Sequence, residues 1–97
     1  MKANYIICYD IKDEKRLVKV HKYLKDRCLK LQYSVFYGYF DWKELTEVKE
    51  KIRELINENE DDIRIYPLPS NPRLIVMGQG DRIPEGVTIF LKWRYLT

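Results

Sequence analysis

Stretches of apolar residues with different periods follow one another along the chain. The first, NYIICYD at positions 4–10, is a nearly continuous run of β-branched and aromatic residues. That is the pattern of a buried strand, predicted here over roughly residues 3 to 10. Asp13 suits a helix N-cap, with Glu14 in the first turn where the helix dipole favours negative charge. Leu17, Val20 and Leu24 recur at helical spacing with Val18 beside them. They predict a helix that packs this stripe on the sheet and ends near Asp26 to Cys28. LQYSVFYGYFDW, residues 31–42, is long enough for two strands, with Ser34 or Gly38 as the break. The preferred division is a short strand to about Gln32 and a longer one from about Ser34 to Phe40. Tyr33, Val35, Tyr37 and Tyr39 share one parity; Ser34, Phe36, Gly38 and Phe40 share the other. Both faces are largely apolar, so one can meet helices and the other needs a partner or a ligand.

Leu45, Val48, Ile52, Leu55 and Ile56 predict a second amphipathic helix from about Lys43 to Asn57, with Glu47 and Lys51 as an i,i+4 pair. NENEDD, residues 57–62, reads as a polar turn, and Asp62 to Leu68 as a strand. Pro67, Pro69 and Pro72 make that strand short and place it at an edge. Arg73 to Met77 is a further strand; Gly78, Gly80, Pro84 and Gly86 mark a loop, in which GQG is only a turn. Val87 to Tyr95 is a terminal strand with Trp93 near its end. It either extends its own sheet or reaches a partner's.

The order β-α-β-β-α-β, with two right-handed crossovers, puts the first and third strands at the centre of a four-stranded antiparallel sheet with both helices on one face. This is an α+β, ferredoxin-like sandwich with additional C-terminal strands. The 97 residues suit a single domain, its core about 1–70 and its strand extension about 73–97. Self-association through the uncovered sheet face is the simplest way to bury it.

The net charge of +3 hides an asymmetry. Lys12 to Lys30 holds eight basic and three acidic residues; Asp41 to Asp62 holds nine acidic and four basic. A basic first helix favours polyanions such as nucleic acid; the alternative is two solvated helix faces. Cys8 and Cys28 make no disulfide framework, and with His21 the one histidine, a four-ligand Cys/His zinc site from one chain is excluded. His21 reads as an exposed or boundary helical residue. The longest apolar runs are too short to span a membrane, and the expectation is a soluble, cytoplasmic protein.

Nothing about burial calls for Asp10 at the end of an apolar strand. A carboxylate at the carboxyl edge of a central strand is positioned to hold a metal or a substrate; alternatively it bonds the backbone entering the next helix. Arg16 and Lys19 are phosphate contacts or a solvated helix face. Ser34 orients a phosphate or water, or is only a break residue. Phe36 is assigned to a dimer interface rather than to base stacking, and Tyr9, by parity, to the core. The glycine–aromatic signature of RNA-stacking sheets is absent.

YDI at 9–11, the basic helix with Arg16 and Lys19, QYSVF at 32–36 and IRIYPL at 63–68 occur in that order. Together they resemble the CRISPR-associated protein two family, the smaller of the two proteins of spacer acquisition in antiviral defence, over nearly the whole chain. The resemblance implies a ferredoxin-like homodimer in which Asp10 is the catalytic, metal-binding carboxylate and both Asp10 residues meet near the two-fold axis. It implies a metal-dependent endonuclease cutting single-stranded RNA or double-stranded DNA, and a partner integrase. Two facing carboxylates repel unless one protonates or a cation sits between them. Mg2+ suits such a site, with Mn2+ as a substitute. With no histidine near Asp10 in sequence to act as base, hydrolysis is expected to be slow and to rise toward alkaline pH. Cys28, where many members have a glycine, and Leu17, where some have a second arginine, depart from the pattern and bear on the nucleic-acid contacts. The competing readings are a non-catalytic dimeric scaffold bridging the integrase on duplex DNA, and a regulatory domain binding a small ligand at its dimer interface.

Overall fold

The computed structural model describes residues 1–71, 73–77 and 88–92. The elements are β1 (Ala3–Asp10), α1 (Glu14–Arg27), β2 (Leu29–Gln32), β3 (Val35–Phe40), α2 (Trp42–Leu55), β4 (Asp62–Pro67), β5 (Arg73–Val76) and β6 (Thr88–Lys92). The first four strands form an antiparallel sheet of order β2-β3-β1-β4, with β1 and β3 central and proline-ended β4 at the edge, as the sequence predicts. β5 and β6 pair in parallel with each other as a separate two-stranded sheet, so among the described residues they do not extend the larger one. The loop expected at 78–86, Trp93 and the ends of the last predicted strand lie outside the described residues.

Local chemistry fixes the boundaries. Asp13 caps α1, its carboxylate accepting the Arg16 N–H at 3.0 Å. α1 closes without a glycine: the Cys28 N–H still reaches the Leu24 carbonyl at 2.7 Å while its backbone turns extended. α2 starts at Trp42 rather than Lys43 because Asp41 and Glu44 form a reciprocal capping box, with bonds of 2.7 and 3.0 Å. The break between β2 and β3 falls at Tyr33–Ser34, where Ser34 adopts a φ of 70°. Gly38, the other candidate break, stays inside β3 because a Cβ there would run into the Phe40 ring.

The core lies between one sheet face and both helices. Ile7 and Tyr9 of β1 and Phe36 and Phe40 of β3 pack with Val20 and Leu24 of α1 and with Leu45, Val48 and Ile52 of α2. Val18 is no part of it: it is 60% exposed on the outer side of α1. Phe36 needs a larger correction. Its ring is fully buried in this core, stacked near Tyr9 and edge-on to His21 at 5.5 Å. The even residues of β3 turn toward the helices, so Phe36 cannot form an interface on the opposite face. That face carries Asn4, Ile6, Cys8 and Asp10 of β1, level with Tyr39, Tyr37 and Val35 of β3 and with Tyr66, Arg64 and Asp62 of β4. No described helix is long and apolar enough to cross a membrane.

Gly38→Ala is expected to destabilise the fold by about 1–3 kcal/mol, the usual cost of overpacking, read as a lower urea midpoint. A smaller residue at position 40, as in Phe40→Leu, should recover part of the loss. An unchanged midpoint in Gly38→Ala would show that the Phe40 ring swings clear.

Candidate active site

β1 delivers Asp10 to the end of a central strand, exposed, on the helix-free face. The register with β4 puts Asp62 directly opposite it. Directly opposed residues of an antiparallel pair share a face with Cβ atoms roughly 5 Å apart, and like charges there are unfavourable. Each carboxylate has its own cation: Lys12 Nζ lies 3.5 Å from Asp10 Oδ2, and Arg64 Nε donates to Asp62 Oδ2 at 3.0 Å. All four side chains are more than half exposed, so these pairs are weak and open to exchange. Asp62 went unnoticed as a functional residue in the sequence. The signal was its parity: with Ile63 and Ile65 facing the helices, Asp62 must share the Asp10 face.

One residue earlier, Asp61 anchors the whole corner. Its carboxylate is fully shielded and accepts four hydrogen bonds: Arg16 Nε at 2.8 Å, Arg16 Nη2 at 3.1 Å, the Lys12 N–H at 3.0 Å and the Asn57 N–H at 2.9 Å. It thereby ties the β1–α1 loop, the first turn of α1 and the turn after α2 to the start of β4. The Arg16 guanidinium, helped by the Asn57 and Lys12 amides and opposed by burial, holds the Asp61 carboxyl well below its usual 3.8. Reciprocally, the bond to Asp61 raises Arg16 further above its usual 12.5.

These bonds correct the expectation for Arg16. Its guanidinium is committed to Asp61 and, at 3.0 Å, to Glu60, so in the folded chain it positions the Asp10 loop rather than standing free for phosphate. Lys19 is exposed on α1 beside Lys15 and Val18. The Ser34 carbonyl accepts the Tyr9 N–H at 3.2 Å, which holds the β2–β3 turn against the end of β1. Tyr9 faces the core as expected, its hydroxyl 2.8 Å from His21 Nδ1. Burial, then Lys30 and Lys25, lower the His21 pKa from its usual 6.5. His21 thus lies on the helix side of the sheet, and Asp10 on the other. Cys8, a free thiol two residues before Asp10 on its face, is pushed up by burial, with Arg64 opposing.

Among the described residues no three His, Cys, Asp or Glu side chains converge where one ion could sit. Among the described residues the Asp10–Asp62 pair is therefore the donor set at this end of the sheet. Such a donor set fits Mg2+, which binds through one or two carboxylates and keeps several waters, and does not fit zinc.

Residues 3–74 match the family described as CRISPR associated protein Cas2. The chain is 49% identical over 90 residues to the CRISPR-associated endoribonuclease Cas2 2 of Thermodesulfovibrio yellowstonii, covering 93% of this chain and 99% of that protein. It superimposes on the crystal structure of a hypothetical protein from Thermus thermophilus with a TM-score of 0.77 at 34% identity, covering 84% of this chain and 96% of that one. It also matches a chain of a partial Cas6-RT-Cas1–Cas2 complex with a TM-score of 0.63 at 30% identity, covering 71% and 75%.

Asp61→Asn should lower the thermal midpoint at pH 7 by roughly 10 °C. A carboxyl whose folded pKa is depressed stabilises fully above its unfolded pKa and loses that contribution as pH falls through its folded pKa. The gap between wild type and variant should therefore close as pH drops below about 4. A gap that stays undiminished from pH 7 down to pH 2 in thermal melts would show that Asp61 acts by packing and not by charge.

Proposed function

Since the chain belongs to the CRISPR-associated protein Cas2 family, we propose that it is a CRISPR-associated endonuclease of spacer acquisition, acting in the cytoplasm as a single-domain homodimer with a Cas1 integrase. The observation that carries this reading is Asp10: an exposed carboxylate at the end of a central strand, on the sheet face that no helix covers, with Asp62 directly opposite. In the proposed dimer the helix-free faces of two copies meet, burying residues such as Ile6, Val35 and Tyr39 and bringing both Asp10 residues to the two-fold axis.

Asp10 would hold Mg2+ there, with Mn2+ able to replace it and Asp62 behind it as a second oxygen donor. When bound, such an ion makes a coordinated water more acidic and offsets charge on phosphoryl oxygens. The chain's own residues orient the substrate. Lys12 and Arg64, released from the carboxylates, are within reach of the phosphate that approaches Asp10. Ser34, from its turn beside Tyr9, is a proposed contact to phosphate or water, and Lys19 extends the basic track along α1. With His21 on the other side of the sheet, no imidazole serves as base at Asp10, which supports slow hydrolysis that accelerates as pH rises. RNA and duplex DNA are both compatible with backbone-directed cations.

The second reading is a non-catalytic bridge between integrase and duplex DNA. The lack of a three-ligand cluster in the described part of one chain favours it, as does the fold match to a Cas1–Cas2 assembly. Asp10→Asn separates the two. The nuclease reading expects phosphodiester cutting with Mg2+ to stop in this variant and in chelator, with a loss of at least a hundredfold and intact nucleic-acid binding. Cutting that survives the substitution would come from a contaminant, and wild type without cutting but with salt-sensitive duplex binding would leave the bridge.

A further inference from the structure

The turn that carries Ser34 also carries Tyr33, and this residue belongs to no part of the site at Asp10. Tyr33 is 68% exposed, unusual for a large aromatic side chain. It lies over a cleft of about 320 Å³ between α1 and the β2–β3 turn, floored by Leu17, Val18 and His21 and rimmed by Lys22, Lys25 and Lys30. The His21 ring stacks beside Tyr33 at 6.2 Å and 28°, and Lys30 Nζ sits 5.6 Å from the Tyr33 centroid. Among the described residues none of the three lysines forms an ion pair. A largely apolar cleft with an exposed flat ring and three rim ammonium groups suits a ligand that is planar, apolar on its faces and anionic at its edge. A nucleotide within a single strand has that chemistry. In a duplex, its base is stacked on neighbours and unavailable. The positive field is already felt inside the cleft, where Lys30 and Lys25 help to lower the His21 pKa.

We infer that this cleft is a single-nucleotide subsite for single-stranded nucleic acid, in which one unpaired base stacks on Tyr33 and its flanking phosphates meet Lys22, Lys25 and Lys30. The Ser34 carbonyl accepts the Tyr9 N–H, so the turn that carries Tyr33 is held to the strand that ends in Asp10, with the cleft on the helix side of the sheet and the carboxylate on the other. The inference rests on the reading that the chain acts on nucleic acid, and it adds a preference for unpaired strands that the carboxylates alone do not supply.

The test is binding of a short labelled single strand, as RNA and as DNA, and of the matching duplex, by fluorescence anisotropy in chelator. Tyr33→Ala should weaken single-strand binding about tenfold, in line with roughly 1–3 kcal/mol per stacked base. Tyr33→Phe should restore it, and duplex binding should not change. Lys22→Glu with Lys25→Glu should weaken binding and flatten its salt dependence. Photocrosslinking of a bromouracil-containing strand should place the adduct on the peptide holding Tyr33. Wild-type single-strand affinity in Tyr33→Ala, an equal loss on duplex, or adducts confined elsewhere would overturn the subsite. Tyr33-dependent binding without any cutting would sink the nuclease and spare the subsite, whereas absence of all binding would remove both.

Discussion

A single shielded carboxylate, Asp61, organises the corner of the molecule where chemistry is proposed. A buried charge is tolerated only when it is paired and its lone pairs are filled. Here the fork of Arg16 and two backbone amides meet that demand. The donors come from the loop after β1, from α1 and from the turn after α2. Satisfying Asp61 therefore fixes where β1 ends, where α1 begins and how β4 enters the sheet. Asp10 and Asp62, the two exposed carboxylates on either side of this anchor, inherit their positions from it. The arrangement separates duties: one arginine–aspartate pair holds the frame, and the exchangeable Lys12 and Arg64 partners leave the outer carboxylates accessible.

The sheet divides the molecule in the same way. Its helix side is closed by ordinary packing, with Phe36, Ile7, Leu24, Val20 and Val48 fully buried. Its other side mixes aliphatic and aromatic residues with the polar Asn4, Arg64, Asp10 and Asp62. A face of this composition is too apolar to be left to water and too polar for an internal core. The proposed association of two such faces would resolve both demands, and would leave the basic outer surface of α1 and the exposed Tyr33 open to a polyanion.

Much of this was legible in the chain. Continuous apolar runs in β1 and β3 and 3.6-residue periodicity in both helices follow directly from burial, so topology, the central place of β1, and the position of Asp10 at its end could be read. The resemblance carried by QYSVF and IRIYPL gave the family. What could not be read depends on contacts far apart in sequence. Arg16 has the same local appearance whether it meets phosphate or Asp61, 45 positions away. Asp61 itself looked like one more acid in a polar turn, and Asp62 became notable only once β4 was set in register. Phe36 was misplaced because both parities of β3 are apolar, so the pattern alone did not say which face the helices cover. Val18, by contrast, looked like core and lies outside, because a helix of 14 residues presents more apolar positions than one sheet face can bury.

We propose that the Asp10 carboxylates of two copies share a cation. Titration of Mn2+ into the purified protein, followed by electron paramagnetic resonance of the free ion, counts the sites directly. One ion per two chains, abolished in Asp10→Asn, is the expected result. One ion per chain would contradict a shared site, and binding indifferent to that substitution would return Asp10 to the role of a surface residue at the end of a strand.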